Sequence, residues 1–228
     1  MRKSMPDDNQ YVEVATGVTN TTPNSNVDVF LSLDGPPICT NMSDSEFRKQ
    51  VMKLRDDAVM LIDKRLNELA RWDHSAQERV ADWFGSNDDV IRNRLASCFP
   101  NLKKVLMGLG PKNFLRASPE LDRYLGCLPN LKNIQNEVAH VCAPNTATHT
   151  ICIRANFCTL RSIDMFQESK LATIIHEATH FSDTFGSLDT MYGLNSYMMI
   201  WGRANPHLAI NNADSITGYL VYGEDLQS

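Results

Sequence analysis

From Ser43 onward, apolar residues recur every three to five positions, at Phe47, Val51, Leu54, Ala58, Leu61, Leu66 and Leu69. That spacing keeps them on one side of a helix and predicts an amphipathic helix with its apolar stripe turned to a core. Ser43 and Glu46 stand at capping-box spacing, so each side chain can satisfy a backbone N–H of the first turn. Ser75 and Glu78 repeat that spacing and predict a second helix through Val80 and Trp83, stopped by Gly85. A third helix is expected from about Asp88 to Phe99, where Pro100 interrupts it, and a shorter one follows to Leu109. Between Pro111 and Asn136 the signals are mixed and favour short helical turns. Val138–Cys142 and Thr148–Phe157 read as a pair of short strands around Ala143-Pro144-Asn145. Helical spacing returns from Gln167 to about Asp183, over Leu194–Arg203, and from Asn212 to Tyr222.

The start of the chain is different. It is rich in Asn, Thr, Ser, Asp and Pro, holds two strand-like runs around Tyr11–Ala15 and Val27–Leu33, and closes at Gly35-Pro36-Pro37. These patterns predict a partly ordered N-terminal extension over residues 1–38. A single α+β domain, mainly helical with a small antiparallel sheet, is expected over residues 39–228.

Composition narrows the function classes. Of 228 residues, 43% are hydrophobic, which is enough apolar material for a substantial core. The formal charge is −5 and no Lys/Arg run stands out, which argues against a nucleic-acid partner. No apolar run approaches the roughly 18 residues of a membrane span. Met1 to Gln10 is polar and charged with no apolar segment behind it, so a secretory leader is not expected. Six cysteines (39, 98, 127, 142, 152 and 158) contain no C-x-x-C pair. Reduced, mostly buried thiols are the expectation from these residues alone, and structural disulfides are the alternative.

The most informative stretch is His176-Glu177-Ala178-Thr179-His180. On a helix, positions i and i+4 share a face, so both imidazoles can reach one cation. Glu177, about 100° around the helix, stays within reach of a water beside that cation and can take its proton. The apolar run Leu171–Ile175 would bury the helix and hold the ligands rigidly. A catalytic zinc takes three protein ligands and leaves one position open. After His180 the only histidine is His207 and the only glutamate Glu224, at the extreme C-terminus. Asp183 is too close to His180 to swing back. Asp189, beyond a turn at Gly186, is the best third ligand.

These residues resemble a known family. His176-Glu177-Ala178-Thr179-His180 followed by Gly186-Ser187-Leu188-Asp189-Thr190-Met191-Tyr192-Gly193 is similar to the HExxH plus GTxDxxYG signature of the aspzincins, the deuterolysin and peptidyl-Lys metalloendopeptidases. Ser187 stands where Thr is usual and keeps the hydroxyl. Ala81-Asp82-Trp83-Phe84-Gly85 resembles the family's WFG segment, and Ala209-Ile210-Asn211-Asn212-Ala213-Asp214 its NAD segment; the likeness spans roughly residues 39 to 222. It implies a zincin-like fold and a zinc endopeptidase. One zinc ion would sit on His176, His180 and Asp189, with Glu177 as base and Tyr192 donating to the oxyanion. A protein or peptide substrate would lie along the 148–157 strand.

In lysine-specific members, an Asp in the NAD segment and a carboxylate three residues later bind the substrate ammonium group. Asp214 matches the first, though it also suits a helix cap, while Thr217 replaces the second. A preference for Lys or Arg after the scissile bond is therefore an expectation and strict lysine selectivity is not. Cys39 and Cys142 resemble a pair bridged in secreted members, whereas the family's other bridge finds no pair here. Members are typically secreted with a leader. A chain without one suits a leaderless bacterial effector or toxin, cytoplasmic before export, with a secretion apparatus as partner. The rival from another class is a non-catalytic zinc-binding interaction module, against which the retention of Glu177 and Tyr192 argues.

Overall fold

A computed structural model describes residues 11–18, 26–32, 37–126 and 135–226, the first two of these as backbone. The two strand-like runs near the start are β1 (Tyr11–Val18) and β2 (Asn26–Ser32). They pair antiparallel, with a register shift between Glu13 and Ala15.

The first helix, α1, runs over Asp44–Arg71. Ser43 caps it, and the reciprocal Ser43–Glu46 capping box forms as the spacing predicts. Its stripe is buried at Phe47, Val51, Leu54, Ala58, Leu61 and Leu69, with Leu66 half-buried. Trp72 closes it with a positive φ of 51°. The next helix, α2, covers His74–Phe84, and its cap is Asp73, whose carboxylate accepts from Ala76 N at 2.9 Å. Ser75 lies inside the helix, because the chain leaves α1 at Trp72 and Asp73 is the first extended residue after it. Gly85 ends α2 as expected, at φ 74°.

The third helix, α3, is continuous over Asp89–Gly108 and carries Pro100 in its interior. The expected break does not occur. Proline withdraws one donor and crowds one carbonyl, while Leu95, Cys98, Phe99, Leu102 and Leu106 on both sides of it are packed into the core. A single 3-10 turn at Pro111–Asn113 leads to β3 (Phe114–Arg116), a strand within the stretch of mixed signals, and then α4 (Pro119–Leu125). The predicted strand pair appears as β4 (Ala139–Val141) and β5 (Ile151–Ile153), shorter than expected because residues 155–159 turn into α5 (Ala155–Thr159). The sheet order is β3-β5-β4, with β4 antiparallel and β3 parallel to the central β5, so the sheet is mixed.

The helices α6 (Lys170–His180), α7 (Ser196–Ala204), α8 (Pro206–Ala209) and α9 (Ala213–Val221) complete the domain. Of these, α6 is buried almost all round and packs against α1, α9 and β4. Trp83 of α2, 1% exposed, presses on two glycines. A Cβ on Gly218 of α9 would lie 2.1 Å from its indole, and one on Gly202 of α7 would lie 2.3 Å from its carbonyl oxygen. Tyr219 stacks on Phe99 with ring centroids 5.8 Å apart. Arg65, fully buried, lies 5.7 Å from the Tyr219 ring and pairs with Glu68 and Glu224. No helix among the described residues is long and apolar enough to cross a membrane.

The thiols depart from expectation. Cys39 is bridged to Cys158, across 119 residues, and not to Cys142. Cys142 is itself disulfide-bonded. Among the described residues, Cys98 and Cys152 are free and buried. The bridge ties the segment before α1 to α5, two elements that a strand assignment for residues 148–157 would have held apart.

Candidate metal centre

Ser169 caps α6 by accepting from Ala172 N at 3.2 Å, and the apolar run behind it fixes the helix in the core. His176 and His180, one turn apart, therefore project together. Their Nε2 atoms are 3.1 Å apart, and Asp189 Oδ1 lies 3.2 Å from one and 3.3 Å from the other. Three ligands at zinc–nitrogen and zinc–oxygen distances around a tetrahedral ion would lie about 3.3–3.4 Å apart. The triad fits a zinc ion on donor spacing alone.

The backs of both rings are also fixed. His176 Nδ1 lies 2.5 Å from Asp214 Oδ1, and His180 Nδ1 lies 2.9 Å from the Ser187 carbonyl. Only an N–H can bond those acceptors, so the proton sits on Nδ1 and each Nε2 lone pair faces the centre of the triad. Burial opposes charge on Asp189, yet hydrogen bonds and charge from the two imidazoles outweigh it and hold its carboxyl well below the ordinary range. Burial likewise opposes charge on His176, and Asp189 and Asp214 overcome it, drawing onto Nε2 a second proton that a bound cation would replace. A cradle that draws positive charge this strongly suits a divalent cation.

Asp189 reaches the site because residues 181–193 fold back under α6. Gly186 takes φ +58°, and Ser187 N donates to the Thr179 carbonyl at 3.1 Å. The Ser187 hydroxyl bonds Thr179 Oγ1 at 2.7 Å, so the residue that departs from the family pattern keeps the contact its hydroxyl allows. The returning loop is held by the start of α9. Leu188 exchanges backbone bonds with Asn211 and Ala213, and the fully buried Asn212 accepts from Thr190 N and Met191 N. Asn212 is a positioning residue that the sequence reading passed over; its place in the NAD segment was the available signal.

Glu177, 5% exposed, lies beside the triad on the floor of a groove of about 630 Å³. Burial first, and Asp189 after it, raise its pKa, while both histidines pull it down. Tyr192 is 61% exposed, and its ring lies parallel to that of His176 at 6.4 Å. Asp214 is 3% exposed and fully engaged, Oδ1 on His176 and Oδ2 on Gly193 N at 2.6 Å. Glu168, unremarked in the sequence, lines the same groove, and enclosure of its carboxyl there, with the charge of Asp214, raises its pKa. Residues 136–141 form a further wall. The other candidates are placed elsewhere: Glu224 on Lys64 and Arg65, and Asp183 on His149 at 3.0 Å.

Comparison with known proteins identifies the family and the fold. The family model of aspzincin lysine-specific metallo-endopeptidases matches residues 69–221. A solved structure of a zinc peptidase from Grifola frondosa superposes with a TM-score of 0.58 at 18% identity, covering 78% of this chain and 95% of that chain, a likeness that bears on the fold. No curated protein matches. With the family model covering about two thirds of the chain and the fold shared, this protein belongs to the aspzincin family and is a zinc metalloendopeptidase.

Proposed function

We propose that His176, His180 and Asp189 hold a single zinc ion, that Glu177 and Tyr192 carry the chemistry of peptide-bond hydrolysis, and that a basic residue is preferred after the scissile bond. The observation that carries the reading is the triad of ligand atoms 3.1–3.3 Å apart, with both imidazoles anchored through Nδ1. Zinc, when bound, supplies Lewis acidity, polarising the scissile carbonyl and acidifying the attacking water. Glu177 takes the proton of that water and passes it to the leaving amine. Tyr192 is suited to donate to the developing oxyanion, because it lines the groove beside His176 and its phenol, an O–H donor at neutral pH, has its pKa pushed further up by burial and the Asp189 charge. One such donor is typically worth about 2.7–4 kcal/mol.

The substrate edge is not the 148–157 strand, because β5 lies at the centre of the sheet with both sides paired. An extended peptide fits along β4, which pairs with β5 alone among the described strands and lines the groove with residues on either side of it. The preference for a basic side chain is supported by the carboxylates of this groove. Asp214 has both oxygens committed and acts through its charge. Glu168 makes no ion pair within the described residues and is free to receive an ammonium or guanidinium group. Thr217, where the family resemblance would place the second acid, is fully buried with its hydroxyl unpartnered. The Cys39–Cys158 bridge supports export to an oxidising compartment.

Digestion of a mixed protein sample, with cut sites read by mass spectrometry, tests the proposal. Zinc-loaded protein is expected to cut, with Lys and Arg enriched immediately after the cut, and Glu168→Gln to reduce that enrichment. Cutting without any basic enrichment would refute the preference, and no cutting by zinc-loaded protein would refute the catalytic reading.

A further inference from the structure

A second group of metal-ligating side chains, drawn from three elements, reaches the wall of the groove at His140 and continues behind it. His140 on β4 and Cys152 on β5 are paired in register, so their side chains leave the same face of adjacent strands. Asp122, on α4, closes over them. One ligand atom from each of the three lies within 4.8 Å of the other two. Cys152 and Asp122 are buried, at 0% and 2% exposure, and Cys152 is a free thiol.

The His140 ring is set as the catalytic imidazoles are. Its Nδ1 meets Glu137 Oε2 at 3.1 Å, and Glu137 is anchored by Arg154 Nε at 2.6 Å. This leaves Nε2 directed at Asp122 Oδ1, 2.7 Å away. A carboxylate behind the ring and a ligand set ahead of it is the arrangement that fixes a metal-binding histidine. We propose that Asp122, His140 and Cys152 form a second transition-metal site, with zinc as its occupant, which clamps α4 to the sheet behind the substrate groove.

The donor set selects the metal. A thiolate with an imidazole and one carboxylate suits zinc and disfavours magnesium or calcium, which require oxygen donors. Zinc seated between Asp122 and His140 would part their 2.7 Å contact to about 3.3 Å, a movement of about 0.6 Å, within the reach of side-chain rotation on a seven-residue helix. Charge is balanced in either state. With a proton on His140, two cations (His140 and Arg154) face two carboxylates (Asp122 and Glu137). With zinc, the dication and Arg154 face those carboxylates and the Cys152 thiolate, and the displaced protons of His140 and Cys152 go to solvent. Burial works against the His140 proton, but bonds to Cys152, Glu137 and Asp122 hold its pKa up to about 11, so zinc binding here is expected to release protons and to weaken as pH falls.

Cobalt(II) is the probe that separates the two sites, because the triad of His176, His180 and Asp189 contains no sulfur. Full-length protein stripped of metal is titrated with cobalt and followed by absorption. A sulfur-to-cobalt charge-transfer band in the near ultraviolet is expected to grow with the second equivalent. It is expected to vanish in Cys152→Ser and in His140→Gln, to require more cobalt in Asp122→Asn, and to persist in Cys98→Ser. The visible absorption of cobalt at the catalytic triad is expected in every variant and also reports that the fold is intact. Absence of the sulfur band from wild-type protein holding cobalt at the catalytic triad, or a band that survives Cys152→Ser, overturns the proposal. Neither result bears on whether the enzyme cleaves peptides.

Discussion

Asp214→Asn separates two roles for one carboxylate. Asp214 stands behind His176, with Oδ1 2.5 Å from Nδ1 and Oδ2 2.6 Å from Gly193 N, so both of its oxygens receive N–H donors. Asparagine has the same shape but offers one oxygen and one NH2. If its oxygen serves His176, its NH2 abuts the Gly193 N–H and that donor is left unpaired; if it serves Gly193, His176 loses its anchor. A buried donor without a partner costs about 1–3 kcal/mol, and replacing a charged acceptor with a neutral one weakens the bond that remains. The share felt at the metal is that of a ligand-orienting partner, about tenfold to hundredfold in affinity, or about 1.4–2.7 kcal/mol. Zinc affinity is measured by competition with a chromophoric chelator, alongside kcat and KM at saturating zinc on peptides with Lys or Ala after the cut. The expected result is zinc binding weakened by that factor, with much of kcat recovered when zinc is saturating. Unchanged zinc affinity with a KM increase confined to the Lys peptide would refute the reasoning and make Asp214 a direct substrate ligand.

Two further outcomes follow from the fold. Gly218→Ala would place a methyl 2.1 Å from the buried Trp83 indole, so α2 and α9 must separate. A loss of about 1–3 kcal/mol is expected in urea unfolding, and an unchanged midpoint would show that this contact does not set the helix spacing. Acid stability should depend on Asp73 and Asp88, the caps of α2 and α3, whose carboxylates are held below the ordinary value of 3.8 chiefly by the backbone N–H groups of Ala76 and Ile91. A folded pKa below the unfolded one gives stability that is present above 3.8 and is lost as pH falls through the folded values. The double variant Asp73→Asn, Asp88→Asn should flatten the acid limb of a stability-versus-pH curve, and an identical limb would contradict this.

The parts of the molecule legible in the sequence are those set by short-range spacing. The α1 stripe and its Ser43–Glu46 box need only 3.6 residues per turn and one hydrogen-bonding pair. His176 and His180 needed only the i, i+4 rule, and Asp189 came by elimination plus a turn at Gly186. Ser75 and Glu78 had the right spacing in the wrong place, because the end of α1 at Trp72 decides where α2 begins. Pro100 reads as a break, yet core packing on both sides of it carries α3 through. β3 is three residues long and owes its existence to a parallel partner at Ile151–Ile153, which no local pattern announces. The approach of Asp214 to His176, 38 residues away, depends on α9 packing against α6. The same holds for Glu168, which reaches the groove from just before the Ser169 cap. The Cys39–Cys158 bridge depends on where α5 lies, and a strand assignment over residues 148–157 conceals that helix.

The central claim is that Glu177 moves the proton while His176, His180 and Asp189 hold zinc. It is tested most directly by Glu177→Gln, with peptide cleavage and zinc content measured on the same preparation. Glutamine keeps the size and leaves every ligand in place, so the account predicts zinc retained at the triad and cleavage reduced by about 10²–10⁴-fold. Cleavage within about tenfold of wild type, with zinc bound, would show that the proton is taken by another group and would contradict the account.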